Sequence, residues 1–301
     1  MNKIKSITLF KYDYVLRDIN SEEFNLKGGI YSKTTLDAEG RTLSEIKYDD
    51  VGIVEQHYGY AYNEQGVKIA DRSWDEHGEL IDDMEYDVDA DGKTQFAYKN
   101  YLDGSKDTVT YRYDEAGRLI EKEVRSDEDE VELVETFAYK GDLQVLHETR
   151  DENNELVYRE ETKYDDQGRV LESETWSAEM GVSSRVQNDY DDKGELIGAS
   201  SFTENGDLIF KVEYEREGDL IVGVREQSPE KTVQTKIEYD EKGNPVLQEE
   251  RDNNGELHSR IERRFDEYGN VIESEAIIDT HGQGRNQHYL LKYEYEFHEG
   301  E

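Results

Sequence analysis

Tyr111-Arg112-Tyr113-Asp114-Glu115-Ala116-Gly117-Arg118-Leu119 is the stretch that decides the fold of this 301-residue chain. An aromatic residue precedes Asp, two variable polar residues follow, then Gly, then an aliphatic two places on. The aromatic-x-x-x-Gly frame recurs from Tyr48/Gly52 to Phe265/Gly269, and Tyr164-Asp165-Asp166-Gln167-Gly168 and Tyr239-Asp240-Glu241-Lys242-Gly243 are clear copies. Asp accepts hydrogen bonds from amides two residues on and so starts turns. Gly takes the left-handed conformation that ends a type I turn with a bulge. Each copy therefore reads as a hairpin turn.

Between turns the pattern alternates with period two. Tyr58, Tyr60 and Tyr62 share a face, as do Val109, Tyr111 and Tyr113. The last segment alternates longest, with Tyr289, Leu291, Tyr293, Tyr295 and Phe297 interleaved with polar residues. Such alternation means strand, and no segment has a convincing helical period. Glycine spacing gives a half-repeat near 13 and a full repeat near 26: Gly194, Gly206 and Gly218 are 12 apart, and Gly168 to Gly194 spans 26. Gly40, Gly92, Gly104, Gly141, Asn154, Gly181, Gly255 and Gly282 mark weaker turns. The stretches around Ser126–Glu130 and Pro229 read as eroded copies.

The expected fold is all-β: an elongated antiparallel array of about twenty strands, as a single curved sheet or a spiral. Laid flat, it would be on the order of 90 Å long. Residues 1–30 depart from the repeat and are expected to cap one end. Residues 31–284 form the array, and residues 285–301 a capping strand, with Glu294, Glu296 and Glu299 along its edge.

Lys plus Arg number 36 and Asp plus Glu 74, so the formal charge is −38. Phosphate binding needs a basic surface, which argues against nucleic acid and anionic membrane as partners. A basic protein is the expected partner. The charge also serves the solubility of a long exposed sheet. Disorder, which high charge can signal, is opposed by the regular repeat and the 22 tyrosines. No Cys is present, so disulfides and thiol chemistry are excluded. Polar residues interrupt the apolar ones after Lys3 and Lys5, so no signal peptide is read. No run approaches the ~18 apolar residues of a membrane span. A cytoplasmic location is expected.

Little points to catalysis. His57, His77, His147, His258, His281, His288 and His298 form no ligand pair, although His281 and His288 flank a turn at Gly282 and Gly284. No GxSxG elbow, GxGxxG or P-loop occurs. Any pair among 74 carboxylates is expected by chance. Asp87-Val88-Asp89-Ala90-Asp91-Gly92 copies the opening of a calcium loop, making Asp87, Asp89 and Asp91 a candidate calcium site. Tyr98 stands where such a loop needs a bidentate Glu, so the plainer reading is a lengthened repeat turn. Trp74, Trp176 and the Tyr rows could stack on sugars or dock a partner, or bind the sheet to itself.

The motif copies at Tyr113-Asp114-Gly117, Tyr164-Asp165-Gly168 and Tyr239-Asp240-Gly243 resemble the YD repeat of Rhs and Tc-toxin shell proteins. The resemblance covers most of the chain. It implies β-hairpin repeats, which in that family spiral into a shell around a toxic segment. This chain is short for a closed cocoon and has only Pro229 and Pro245 as prolines. The expectation is therefore a non-catalytic, free-standing binding protein. Its sharpest form is an immunity- or antitoxin-type neutraliser whose acidic concave face masks a basic toxin. A structural scaffold, or a carbohydrate- or calcium-binding surface module, is the alternative.

Overall fold

The computed structural model describes residues 3–17, 23–279 and 286–299. Their backbone forms 22 strands. The first eight are β1 (Ile4–Leu16), β2 (Phe24–Leu36), β3 (Thr42–Tyr48), β4 (Val54–Tyr62), β5 (Lys68–Trp74), β6 (Leu80–Val88), β7 (Thr94–Asn100) and β8 (Lys106–Tyr113). Next come β9 (Leu119–Arg125), β10 (Val131–Lys140), β11 (Leu143–Asp151), β12 (Leu156–Tyr164), β13 (Val170–Ser177), β14 (Val182–Tyr190) and β15 (Leu196–Thr203). The last seven are β16 (Leu208–Glu217), β17 (Leu220–Gln227), β18 (Thr232–Tyr239), β19 (Pro245–Asp252), β20 (Leu257–Phe265), β21 (Val271–Ile278) and β22 (Gln287–Phe297).

Each strand pairs antiparallel with the next, as the turn spacing implies. The sheet then closes: β1 pairs with β22 from Ile4↔Phe297 to Asp13↔Tyr289. The expected open curved sheet or spiral is thus corrected to a closed barrel. Closure gives the end strands the backbone partners that an open array would leave exposed to other chains. A circumference of 22 strands at ~4.8 Å, tilted as barrels require, gives a diameter of roughly 40 Å.

Most turns share one pattern. In the Asp114 turn, Gly117 N–H donates to the Asp114 carbonyl at 2.9 Å, and Asp114 N–H donates to the Arg118 carbonyl at 2.9 Å. Gly117 has φ of 81°, and the ladder slips by one residue between Arg112 and Tyr113. That is a type I turn closed by a glycine bulge. At the eroded Ser126–Glu130 turn and the weaker turn at Asn154, Asp129 and Asn154 hold the left-handed position instead, with φ of 65° and 62°.

The wall is one sheet thick. Its accessible surface is 19727 Å², against roughly 13,000 Å² for a compact protein of this mass. Among the described residues, buried apolar side chains are few: Ala70, Ala97, Val109, Val233, Ala276 and Leu290. Stability therefore rests on neighbour-to-neighbour contacts along the sheet, as in a repeat protein.

Candidate interaction surfaces

Register and alternation sort the side chains onto two faces. Tyr58, Tyr60, Tyr86, Val109, Tyr111 and Tyr113 fall on one, through the pairs Tyr58↔Ser73, Tyr60↔Asp71, Tyr86↔Ala97 and Ala97↔Val109. Burial raises the phenol pKa values of Tyr86, Tyr111, Tyr293 and Tyr295 above the ordinary value. Tyr60 is pushed up to about 12 by burial and by its hydrogen bond to Glu45. This tyrosyl face is not purely apolar. Lys122 pairs with Glu135 at 2.6 Å, and His147 donates to Glu135 at 3.2 Å while stacking on Phe137.

The opposite face is ionic. Several residues directly across the ladder are opposite charges: Arg72–Asp83 at 2.7 Å, Arg159–Glu148 at 3.1 Å, Lys163–Glu172 at 2.6 Å and Arg260–Glu249 at 2.8 Å. Such cross-strand pairs fix register more than they add stability. Hydrogen bonds from Gln187 and Lys163 hold the Glu172 carboxyl below the usual range.

The two rims differ. The turns that follow even-numbered strands form what we call the laced rim. There the tyrosine before a turn reaches back to the strand beginning at the previous turn on the same rim. Its hydroxyl donates to that backbone: Tyr62 to Thr42, Tyr113 to Thr94, Tyr139 to Leu119, Tyr164 to Gln144, Tyr190 to Val170, Tyr239 to Ile221 and Tyr295 to Val271, all at 2.7–3.0 Å. At four of these turns the residue after the glycine is a cation that covers the next tyrosine. Arg41 lies 5.0 Å from the Tyr62 ring, Lys93 5.3 Å from Tyr113, Arg118 4.9 Å from Tyr139 and Arg169 4.7 Å from Tyr190. Arg41, Arg118 and Arg169 also pair with their own turn aspartates at 2.6 Å.

On the other rim, the plain rim, three turns have arginine where the aromatic would be, and it folds onto its own turn. Arg125 donates to Asp129 O at 2.9 Å, Arg150 to Asn154 O at 3.2 Å and Arg251 to Gly255 O at 3.0 Å.

The sequence-derived residues divide accordingly. Tyr113-Asp114-Gly117, Tyr164-Asp165-Gly168 and Tyr239-Asp240-Gly243 occupy equivalent places on the laced rim. Each Asp carboxylate accepts two turn amides, from Ala116 and Arg118, Gln167 and Arg169, or Lys242 and Asn244. Side-chain and backbone bonds from Arg118 lower the Asp114 pKa, and those from Asn244 lower that of Asp240. The cation lock at Arg41, Lys93, Arg118 and Arg169 was not anticipated, although a basic residue directly after the turn glycine was the available signal.

Asp87 lies on β6 opposite Phe96, Asp89 caps the turn, and Asp91 sits exposed at its tip. The Asp89 carboxylate is occupied by Asp91 N–H, Lys93 N–H and the Gln95 side chain. Among the described residues, no three His, Cys, Asp or Glu are grouped to hold a metal ion. His281, Gly282 and Gly284 lie outside the described residues, while His288 stacks on Tyr14 at 3.8 Å. Trp74 stacks on His57 at 4.6 Å, over the space left by Gly59, and Trp176 lies across from Arg159.

The turn tips carry the surplus acid. Every described laced-rim turn exposes a carboxylate: Glu39, Glu64, Asp91, Glu115, Asp142, Asp166, Asp192, Asp219, Glu241 and Glu267. Asp50, Glu76, Asp103 and Glu152 continue this on the plain rim.

No family model and no curated protein matches the sequence. Among solved structures, the crystal structure of TcdB2-TccC3-TEV aligns at 9% identity and TM-score 0.39, over 90% of this chain and 19% of that one. TcdB2-TccC3 without its hypervariable C-terminal region aligns at 12% identity and TM-score 0.29, over 87% and 19%. A porin-like protein from Bacteroides uniformis ATCC 8492 aligns at 8% identity and TM-score 0.34, over 97% and 98%. The chain thus spans about a fifth of the first of these. At such TM-scores these likenesses carry no argument about what the chain does.

Proposed function

We propose that this barrel is a non-catalytic binding protein for a basic protein partner, and that its laced turns are repeats of the YD type. What supports this reading is where the charges lie. Many cations are engaged in ladder pairs and turn locks, such as Arg159–Glu148 and Arg118–Asp114, while Glu64, Asp91, Glu115, Asp142 and Asp166 are displayed at the turn tips. A partner approaching either rim meets a crown of carboxylates. That arrangement favours fast, salt-sensitive association. An immunity- or antitoxin-type role is the form that best fits such a surface.

Both faces are read as water-facing. No helix among the described residues is long and apolar enough to cross a membrane, and strands can also cross one, so the faces themselves must decide. A lipid-facing barrel presents an apolar band ≈ 25 Å tall. Here Lys122–Glu135 sits on one face and Arg159–Glu148 on the other.

The test is calorimetric titration with polylysine as the probe, at several salt concentrations. Neutralising Glu64, Asp91, Glu115, Asp142 and Asp166 to their amides should weaken binding and flatten its salt dependence. Neutralising five ionic-face carboxylates should do less. Equal effects from both sets would sink the crown reading.

A further inference from the structure

The closed ladder has an exception at its seam. β1 and β2 are 13 residues each, while the other strands run from 7 to 11. Their mutual pairing continues to Leu16↔Phe24, but β2 pairs with β3 only from Ser32 to Leu36. Residues 24–31 of β2 thus have a ladder partner on one side only. At the other plain-rim steps the overhang is one to three residues, as where Leu208 to Phe210 of β16 precede the Lys211↔Gln227 pair with β17. The β1–β2 hairpin therefore stands above the plain rim with an open edge eight residues long.

That edge is exposed and apolar along part of its length. Phe24 is 53% exposed and Leu26 47%, and the neighbouring β3–β4 turn exposes Val51 and Ile53. Natural sheets normally blunt such an edge with charge, proline or a cover. This one has Lys27 as its single charge, and Lys27 faces Asp13 across the hairpin.

Charge selects the occupant. β2 contains Lys27 and Lys33 and no carboxylate in its thirteen residues, within a chain of net charge −38. Two copies approaching by their carboxylate crowns repel each other, whereas two β2 edges meet without that penalty. The hairpin's cations do not recruit an acidic partner instead, since Arg17 is paired with Glu23 at 2.7 Å and Lys27 faces Asp13. What remains is a neutral backbone template, and identical edges are self-complementary when paired antiparallel about a two-fold axis.

We propose that residues 24–31 form a self-association strand. Two copies of this chain pair it antiparallel, joining two barrels edge to edge into a dimer. This is independent of binding to a basic partner, and the two respond oppositely to salt. Added salt screens barrel–barrel repulsion and strengthens the dimer, while it weakens a crown-bound basic partner.

Light scattering on the full chain across a concentration series reads the oligomeric state. A monomer–dimer equilibrium that shifts towards dimer with salt is expected. Leu26→Glu sets carboxylates near each other across the two-fold and should raise the dimer dissociation constant about tenfold or more. Its β-sheet circular dichroism and thermal midpoint should stay unchanged, because Leu26 is exposed. The chain has no cysteine, so Leu26→Cys accepts one spin label per copy. Paired strands lie ≈ 4.8 Å apart, so the labels should approach within roughly 20 Å of each other. A label introduced by Asp166→Cys on the laced rim should show no short distance. A chain that stays monomeric, a dimer untouched by Leu26→Glu, or a dimer without a short distance at position 26 would each overturn the proposal.

Discussion

The laced and plain rims share most of their turn chemistry, and their difference shows what makes hairpins into a wall. On both rims, aspartates such as Asp114 and Asp75 cap two amides and a glycine closes the bulge. On the plain rim the contacts then stay at home, as when Arg251 bonds its own turn at Gly255. On the laced rim they cross to a neighbour: Tyr113 bonds Thr94 O while Lys93 covers the Tyr113 ring. Turn chemistry makes a hairpin, and lacing ties each hairpin to the next. The lacing hydroxyls recur at Tyr113, Tyr139, Tyr164 and Tyr190, 25 or 26 residues apart, which is the full repeat.

The comparison breaks most sharply at the tyrosine hydroxyls. Tyr62, Tyr113, Tyr164 and Tyr239 lie on separate hairpins, so replacing all four by Phe should be roughly additive. Each change leaves a half-buried carbonyl unpaired and should cost about 1 kcal/mol, or about 4 kcal/mol together. Urea unfolding followed by circular dichroism reads this directly. Tyr48→Phe on the plain rim, where the hydroxyl bonds no neighbouring carbonyl among the described residues, should fall within about 0.5 kcal/mol of the parent. A quadruple variant as stable as Tyr48→Phe would refute the lacing.

Next in size are the glycines. Gly117 on the laced rim and Gly78 on the plain rim both have positive φ, 81° and 76°. Alanine at either should cost about 1 kcal/mol for the left-handed backbone. A Cβ at 78 meets nothing within 4 Å, whereas one at 117 runs into the Lys93 ammonium and pushes it off Tyr113. Gly117→Ala should therefore lower the melting temperature more than Gly78→Ala. Equal losses would mean that the cation lock is idle.

Acid should loosen the laced rim first. Asp114, Asp165, Asp191, Asp240 and Asp266 there have lowered pKa values, caused first by hydrogen bonds from the residue four on. On the plain rim, Asp103 and Asp252 are lowered. A lowered folded pKa gives stability that is present above the unfolded value of ≈ 3.9 and is lost as pH falls through the folded value. Amide exchange at pH 3 against pH 6 should accelerate most at the laced-rim turns. Base acts on the tyrosyl face. The raised values of Tyr60, at about 12, and of Tyr111 contribute stability that is lost as pH climbs from ≈ 10 through those values. Tyrosinate absorbance and loss of sheet signal should then rise together.

How much of this was legible in the sequence follows from the range of each interaction. The turns were readable because Asp114, Gly117 and their equivalents act within five residues. Strand direction followed from the turns, and the tyrosyl face from period-two alternation. Closure was not readable. Asp13 and Tyr289 pair across nearly the whole chain, and nothing local in either strand marks its partner. The lacing was half readable. Arg118 and Arg169 stand visibly after the turn glycine, but their rings, Tyr139 and Tyr190, lie one full repeat away. On the plain rim nothing local marks Arg125 and Arg150, yet each bonds its own turn.

The smallest expected effect sharpens that last point. Asp129 and Asn154 hold the left-handed position that glycine holds at sister turns, with φ of 65° and 62°. An L-residue is strained there, Asn least of all. Asp129→Gly should raise stability by about 0.5 kcal/mol, the relieved strain exceeding the backbone entropy that glycine adds. The lost side-chain contact to Arg125, 3.4 Å long with Asp129 exposed, offsets little, and the Arg125 bond to the 129 carbonyl survives. Asn154→Gly should gain less, because Asn tolerates this conformation better. Differential scanning calorimetry of both variants orders them. If Asp129→Gly instead destabilises, the plain-rim arginines depend on the turn carboxylate as well as its backbone, and the two rims are more alike than their bonds suggest.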